Sequence, residues 1–144
     1  MRTMRPTMVD SAPGVAALAL SPDGALVGSS SRAGGVQIWD VKSPPAPDGP
    51  LSGPVRRPLA ARAPAGSVWL RGLDFVGNTG VVAIGGDDGV LETWDYRSGR
   101  VLATAKFPEG IRSLAASPGG GELAVACEDG SFYLLPGQSL CAGR

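Results

Sequence analysis

Two glycine-bounded acidic clusters are the residues best placed to do chemistry. Gly85-Gly86-Asp87-Asp88-Gly89 and Glu128-Asp129-Gly130 together hold four carboxylates. Carboxylate oxygens are what a calcium ion takes as ligands. The first cluster also has the glycine content of a phosphate loop. It lacks the Lys and Ser/Thr of such a loop, and its acids repel phosphate. The chain has no histidine, which removes the commonest general base and the commonest metal ligand. Its two cysteines, Cys127 and Cys141, stand 14 apart and make no zinc set. Ser29-Ser30-Ser31 has no base beside it in sequence. No catalytic, metal or cofactor residue is therefore assigned, and an enzyme is not expected. The acidic clusters read instead as two copies of one turn.

The turn belongs to a repeat. Gly35-Val36-Gln37-Ile38-Trp39-Asp40 matches Val90-Leu91-Glu92-Thr93-Trp94-Asp95 and then Ser131-Phe132-Tyr133-Leu134-Leu135-Pro136. The steps are 55 residues, from Trp39 to Trp94, and 41 residues, from Trp94 to Leu135. Upstream, Val15-x-x-Leu18-x-Leu20 matches Leu70-x-x-Leu73-x-Phe75 and Ile111-x-x-Leu114-x-Ala116. Between these runs lie Ser21-Pro22-Asp23-Gly24, Val76-Gly77-Asn78-Thr79 and Ser117-Pro118-Gly119-Gly120. Short runs rich in Val, Ile, Leu and aromatics, bounded by Gly, Pro, Asp and Ser, predict strands rather than helices. Pro22 presets a turn φ, and Gly24, Gly34, Gly89 and Gly130 can take φ > 0. Asp88-Gly89 and Asp129-Gly130 are hairpin signals.

On these residues the chain resembles the WD-repeat family, whose units are four-stranded blades of a β-propeller. The likeness covers residues 14–40 and 66–136, and Ser21-Pro22-Asp23-Gly24 with the two Trp-Asp pairs carries it best. It implies an all-β fold: an incomplete β-propeller of about three blades of antiparallel strands (14–40, 66–107 and 110–136). The family also braces its blades with a His, a Ser/Thr, an Asp and a Trp. Here the first copy keeps Ser31 and Trp39 but has Ala33 in the Asp place. The second keeps Asp88 and Trp94 but has Gly86 in the Ser place. The third keeps Asp129, with Cys127 and Leu135 in the other two places. Without histidine no blade has the network complete, so the blades must rest mainly on apolar packing.

Propellers close with about 4–8 blades of about 40–45 residues each, so 144 residues hold three at most. Three blades leave bare sheet edges. Length suggests one domain, and 43% apolar residues allow a core. Thirteen basic and thirteen acidic residues cancel, which argues against a broad nucleic-acid or membrane footprint. No apolar run reaches transmembrane or signal-peptide length, so an intracellular location, nuclear or cytoplasmic, is the expectation. Residues 1–13 read as a flexible N-terminus and 137–144 as a tail without a clear fourth strand. Residues 41–65 contain seven prolines and cannot form a central strand. They read as a flexible Pro-rich loop on the first blade's rim, replacing or distorting its outer strand. Pro44-Pro45-Ala46-Pro47 offers the alternative of a Pro-rich docking peptide.

Binding to other proteins is what remains. The resemblance puts Arg32, Asp87 and Glu128 at one equivalent turn, on the face that also carries Trp69, Arg71 and Arg112. Arg and Trp are enriched in binding hot spots. Arg71 and Arg112 share the parity of Leu73 and Leu114, which points them toward the channel mouth. Trp39 and Trp94 read as packing residues, and Cys127 as a buried thiol. The chain thus looks like a non-catalytic protein-binding scaffold, part of a larger propeller or complex. Two alternatives stand beside it. Trp94-Asp95-Tyr96-Arg97 resembles the box by which some WD-repeat proteins dock, as substrate receptors, on cullin–RING ubiquitin ligases, with Arg97 as the contact. Alternatively, two copies supplying six blades could complete a homo-oligomeric ring.

Overall fold

The computed structural model describes residues 3–4, 14–32, 35–42, 46–47, 54–55, 60–62 and 68–141. The first sheet takes β1 (Val15–Leu20), β2 (Leu26–Ser31) and β3 (Val36–Asp40). Two-residue strands β4 (Ala46–Pro47) and β5 (Pro54–Val55) pair with each other. Strand β6 (Ala60–Arg62) then adds to β3 as the first sheet's fourth strand. The second sheet is β7 (Leu70–Phe75), β8 (Val81–Gly86), β9 (Val90–Asp95) and β10 (Arg100–Lys106). The third has three strands, β11 (Ile111–Ala116), β12 (Glu122–Cys127) and β13 (Phe132–Pro136). One helical turn, α1 (Gly137–Leu140), follows β13 and buries Leu140. The fold is nearly all β, with one antiparallel sheet for each copy of the repeat.

The flexible N-terminus expected over 1–13 lies outside the described residues, except for Thr3 and Met4, and so do Ala33 and Gly34. Most of the Pro-rich stretch 41–65 lies outside them too. Within it, β6 falls in the longest proline-free run between Pro44 and Pro64, where backbone donors are available to pair with β3.

The sheets stack face to face. Leu73 and Phe75 of β7 pack with Val36 and Ile38 of β3 in one buried cluster. Ile111 and Leu114 of β11 pack with Val81, Ala83 and Leu91 of the second sheet in another. Strand β8 is consequently buried along its whole length: Val82 and Ile84 face the first cluster, Val81 and Ala83 the second. Burying each of the Val, Ile, Leu and Phe side chains here stabilises the fold by roughly 1.5–3 kcal/mol. Each joint also has a polar pin. The Ser30 hydroxyl donates to the Leu70 carbonyl at 2.7 Å, joining the first two sheets. The Ala116 N–H donates to the Asp74 carboxylate at 2.7 Å, joining the second and third.

The brace in the first sheet differs from expectation. The Trp39 indole N–H donates to Ser29 Oγ at 3.0 Å, not to Ser31. Trp39 sits opposite Val27, so Ser29 is its diagonal neighbour on the same face, while Ser31 is four residues from Val27. The Ser31 hydroxyl instead accepts the Gly35 N–H at 3.1 Å. Ser29→Ala should therefore cost about 1–3 kcal/mol, the penalty of an unpaired buried donor. Ser31→Ala should cost less, because its bond is only part-buried. Urea denaturation of both variants measures the difference.

Candidate functional site

All three sheets are meanders, so every β-hairpin turn between the second and third strands lies at one end of the stack. The starts of β7 and β11 lie at that same end. Five of the residues singled out above converge there. The guanidinium of Arg32, after β2, lies over the Trp69 ring at 4.3 Å, and that of Arg71 lies over it at 3.9 Å. Arg71 also pairs with Asp87 of its own sheet at 3.2 Å and with Glu128 of the third sheet at 3.6 Å. The Asp87 contact is an ion pair without hydrogen-bond alignment. A chain of cation–π and ionic contacts thus crosses all three sheets from Arg32 to Glu128. Each cation–π contact is worth about 0.5–1 kcal/mol where exposed and about 2 where dry. The Trp69 Nε1–H is buried and has no acceptor among the described residues.

Parity with Leu73 does not set the direction of Arg71, contrary to the sequence expectation. The pairing of β7 with β8 jumps from Leu70↔Gly86 to Gly72↔Gly85, which leaves Arg71 as the extra residue of a β-bulge. The same irregularity falls between Val15 and Ala17 and between Ile111 and Ser113. A bulge breaks the alternation and re-aims the side chain it carries. Leu70 and Leu73, three apart, therefore share one cluster, and Arg71 turns to Trp69 and the acids. The signal was in the sequence: the spacing Leu70-x-x-Leu73-x-Phe75 is one residue too long for strict alternation before Leu73. Arg112 holds the bulge position of β11 and is exposed, outside the Trp69 group.

Arg97 lies at the other end of the stack, in the turn between β9 and β10. It is exposed, with its guanidinium 5.9 Å from the Tyr96 ring centroid. Asp95 is buried, and its carboxylate accepts the Arg97 and Ser98 N–H groups at 3.0 and 3.1 Å. Trp94 is buried in the joint between the first two sheets.

The four carboxylates of the acidic turns have local partners. Asp87 and Glu128 serve Arg71, and the Asp88 carboxylate accepts the Val90 N–H at 3.0 Å. The Asp129 carboxylate is held below the usual range first by the Ser131 hydroxyl and then by the Ser131 N–H, both of which donate to it. Asp23 is lowered likewise, first by the Ser21 hydroxyl at 2.6 Å and then by the Ala25 N–H. Among the described residues no three His, Cys, Asp or Glu side chains gather as a metal site requires. Cys127 is buried, and burial pushes its thiol up, with Asp129 and Glu109 adding to the effect.

Two comparisons bear on this arrangement. The family model described as WD domain, G-beta repeat matches residues 5–40. Among solved structures, the WD40 domain of coronin from Toxoplasma gondii is similar, with a TM-score of 0.68 at 19% sequence identity. The match covers 85% of this chain and 30% of that one, so this chain spans under a third of its length.

Proposed function

We propose that this chain, which carries a WD repeat and has the fold of part of a WD40 propeller, is a non-catalytic scaffold that binds another protein through its Trp69 face. Propellers of this kind generally serve protein interaction, and the convergence of Arg32, Trp69, Arg71, Asp87 and Glu128 from three sheets supports this face in particular. Trp and Arg dominate binding hot spots because they bury a large surface and keep polar contacts. The arrangement is pre-organised: Arg71 is held by two acids and stacked on Trp69, so little side-chain freedom is lost on binding. The exposed Arg32 favours a partner segment that presents carbonyl or carboxylate oxygens.

Quantitative proximity labelling in cells tests the reading. Trp69→Ala should deplete a defined set of partners by about tenfold or more, as loss of a hot-spot residue does. Arg100→Ala, on the outer strand β10, should leave the same set intact. An unchanged set for a folded Trp69→Ala variant would remove this face from consideration.

A further inference from the structure

Two guanidiniums share one indole at the Trp69 end, and they are not equally partnered. Arg71 lies 3.9 Å from the ring centroid and also meets Asp87 at 3.2 Å and Glu128 at 3.6 Å. Arg32 lies 4.3 Å from the same ring, and the residue is exposed. Among the described residues no carboxylate reaches it. The described acids of the first sheet, Asp23 and Asp40, lie at the other end, where they accept the Ala25 and Lys42 N–H groups.

Arg32 is nonetheless held in place. Its N–H donates to the Gly14 carbonyl at 2.8 Å. Its stem runs past Gly14, where an added Cβ would lie 3.5 Å from Arg32 Cβ and 3.7 Å from its Cδ. The Trp69 ring attracts the cation at the tip, but a ring face is no substitute for oxygen acceptors, and a guanidinium has five N–H donors. The partners of Arg71 show what completes such a contact. Both are carboxylates, one from its own sheet and one from the next. Arg32 holds the turn position at which those two sheets carry Asp87 and Glu128. The first sheet therefore presents a cation where the others present acids.

We propose that Arg32 binds an aspartate or glutamate side chain of the protein partner, with Trp69 as the platform that holds the guanidinium. This rests on the reading of the Trp69 end as a protein-binding face and names the group that face selects. Arginine can grip a planar carboxylate through two parallel N–H bonds, and lysine cannot. Because its backbone and stem are already fixed, Arg32 gives up little freedom on binding. A phosphate group suits the place less well, since its second negative charge would meet the field of the exposed Asp87 and Asp88.

A random peptide library displayed on phage, with no free C-terminal carboxylates, is selected on the purified chain. Enriched sequences should share an Asp or Glu at a fixed position. A synthetic peptide carrying that motif is then titrated against variants whose strands are checked by far-UV circular dichroism. Arg32→Glu should weaken binding at least about tenfold, as loss of a charge-assisted contact does. Replacing the peptide's acid by lysine should restore binding to that variant. Arg32→Lys should weaken binding too, although the charge is kept. Arg100→Glu, on the outer strand β10, should leave it unchanged. Enriched peptides without a fixed acid, or a motif peptide that binds Arg32→Glu as well as the parent, overturn the proposal. If Trp69→Ala still abolishes selection in that case, the binding face itself stands. If Trp69→Ala selects the same peptides, or the parent chain selects none, the face and the proposal fall together. Tighter binding when phosphoserine or the peptide's own C-terminal carboxylate replaces the acid would overturn the assignment to an Asp or Glu side chain.

Discussion

Replacing Leu73 by alanine is expected to lower stability by about 2–5 kcal/mol, the range for truncating a buried leucine. The same replacement at Leu18 is expected to change it by no more than about 0.5 kcal/mol in dilute solution, as at other exposed sites. The two leucines hold the same position in the repeat and the same strand geometry, in β7 and β1. They differ in what lies against them. Leu73 is enclosed with Val36, Ile38 and Phe75, while Leu18 is exposed on the outer side of β1. Domains of this size have only about 5–15 kcal/mol of stability, so Leu73→Ala approaches the limit of folding. Urea denaturation midpoints of the two variants, taken at low chain concentration, measure the contrast. Equal losses would mean that the stacking of the first sheet on the second is not as described.

Gly89→Ala is the second large effect expected. Gly89 sits in the β8–β9 turn at φ +78°, a left-handed conformation that costs an L-residue about 1–2 kcal/mol. A Cβ there would also fall 2.6 Å from the Phe107 carbonyl oxygen and 2.8 Å from that of Glu109. Both obstacles are backbone, so they can yield only by moving the link between β10 and β11, and overpacking of this kind adds about 1–3 kcal/mol. The same shift threatens the bond from the Phe107 N–H to the Gly89 carbonyl, 2.8 Å, and the packing of Phe107 against Tyr133. The total expected loss is about 2–5 kcal/mol. Gly24→Ala is the control. Gly24 has φ +72° with nothing within 4 Å of the added Cβ, so only the conformational cost of about 1–2 kcal/mol applies. Thermal or urea unfolding of the pair separates crowding from conformation. A Gly89→Ala variant no weaker than Gly24→Ala would mean that the β10–β11 link does not pack on this turn.

Much of this arrangement was legible in the residues because it is local. The alternation of apolar runs with Gly, Pro and Asp turns marks the strands, and the spacing of Trp39, Trp94 and Leu135 aligns the three sheets. Burial of Trp39 and Trp94 follows from that pattern, as does the grouping of Arg32, Asp87 and Glu128 at one turn. Three features did not follow. The partner of Trp39 was assigned to Ser31, because a motif fixes a position in the chain but not the diagonal reach of an indole across a strand pair. The direction of Arg71 was assigned by parity, which a single bulged residue cancels. The short strand Ala60–Arg62 was not anticipated inside a stretch dominated by prolines, whose missing donors outweigh any strand signal nearby.

What the sequence determined by itself is the class of the fold and the repeat, since strand length, turn chemistry and period are all written in neighbouring residues. It also determined that the commonest chemistry of catalysis and metal binding has no histidine to use. What only the tertiary structure decided is which equivalent residues are core and which are surface. Leu18, Leu73 and Leu114 are alike in sequence, and burial is a property of the sheet stacked on each, not of the residue. The Trp69 cluster was decided in the same way. Arg32, Trp69 and Glu128 are far apart in the chain, and they meet only because three separate sheets stack in one register.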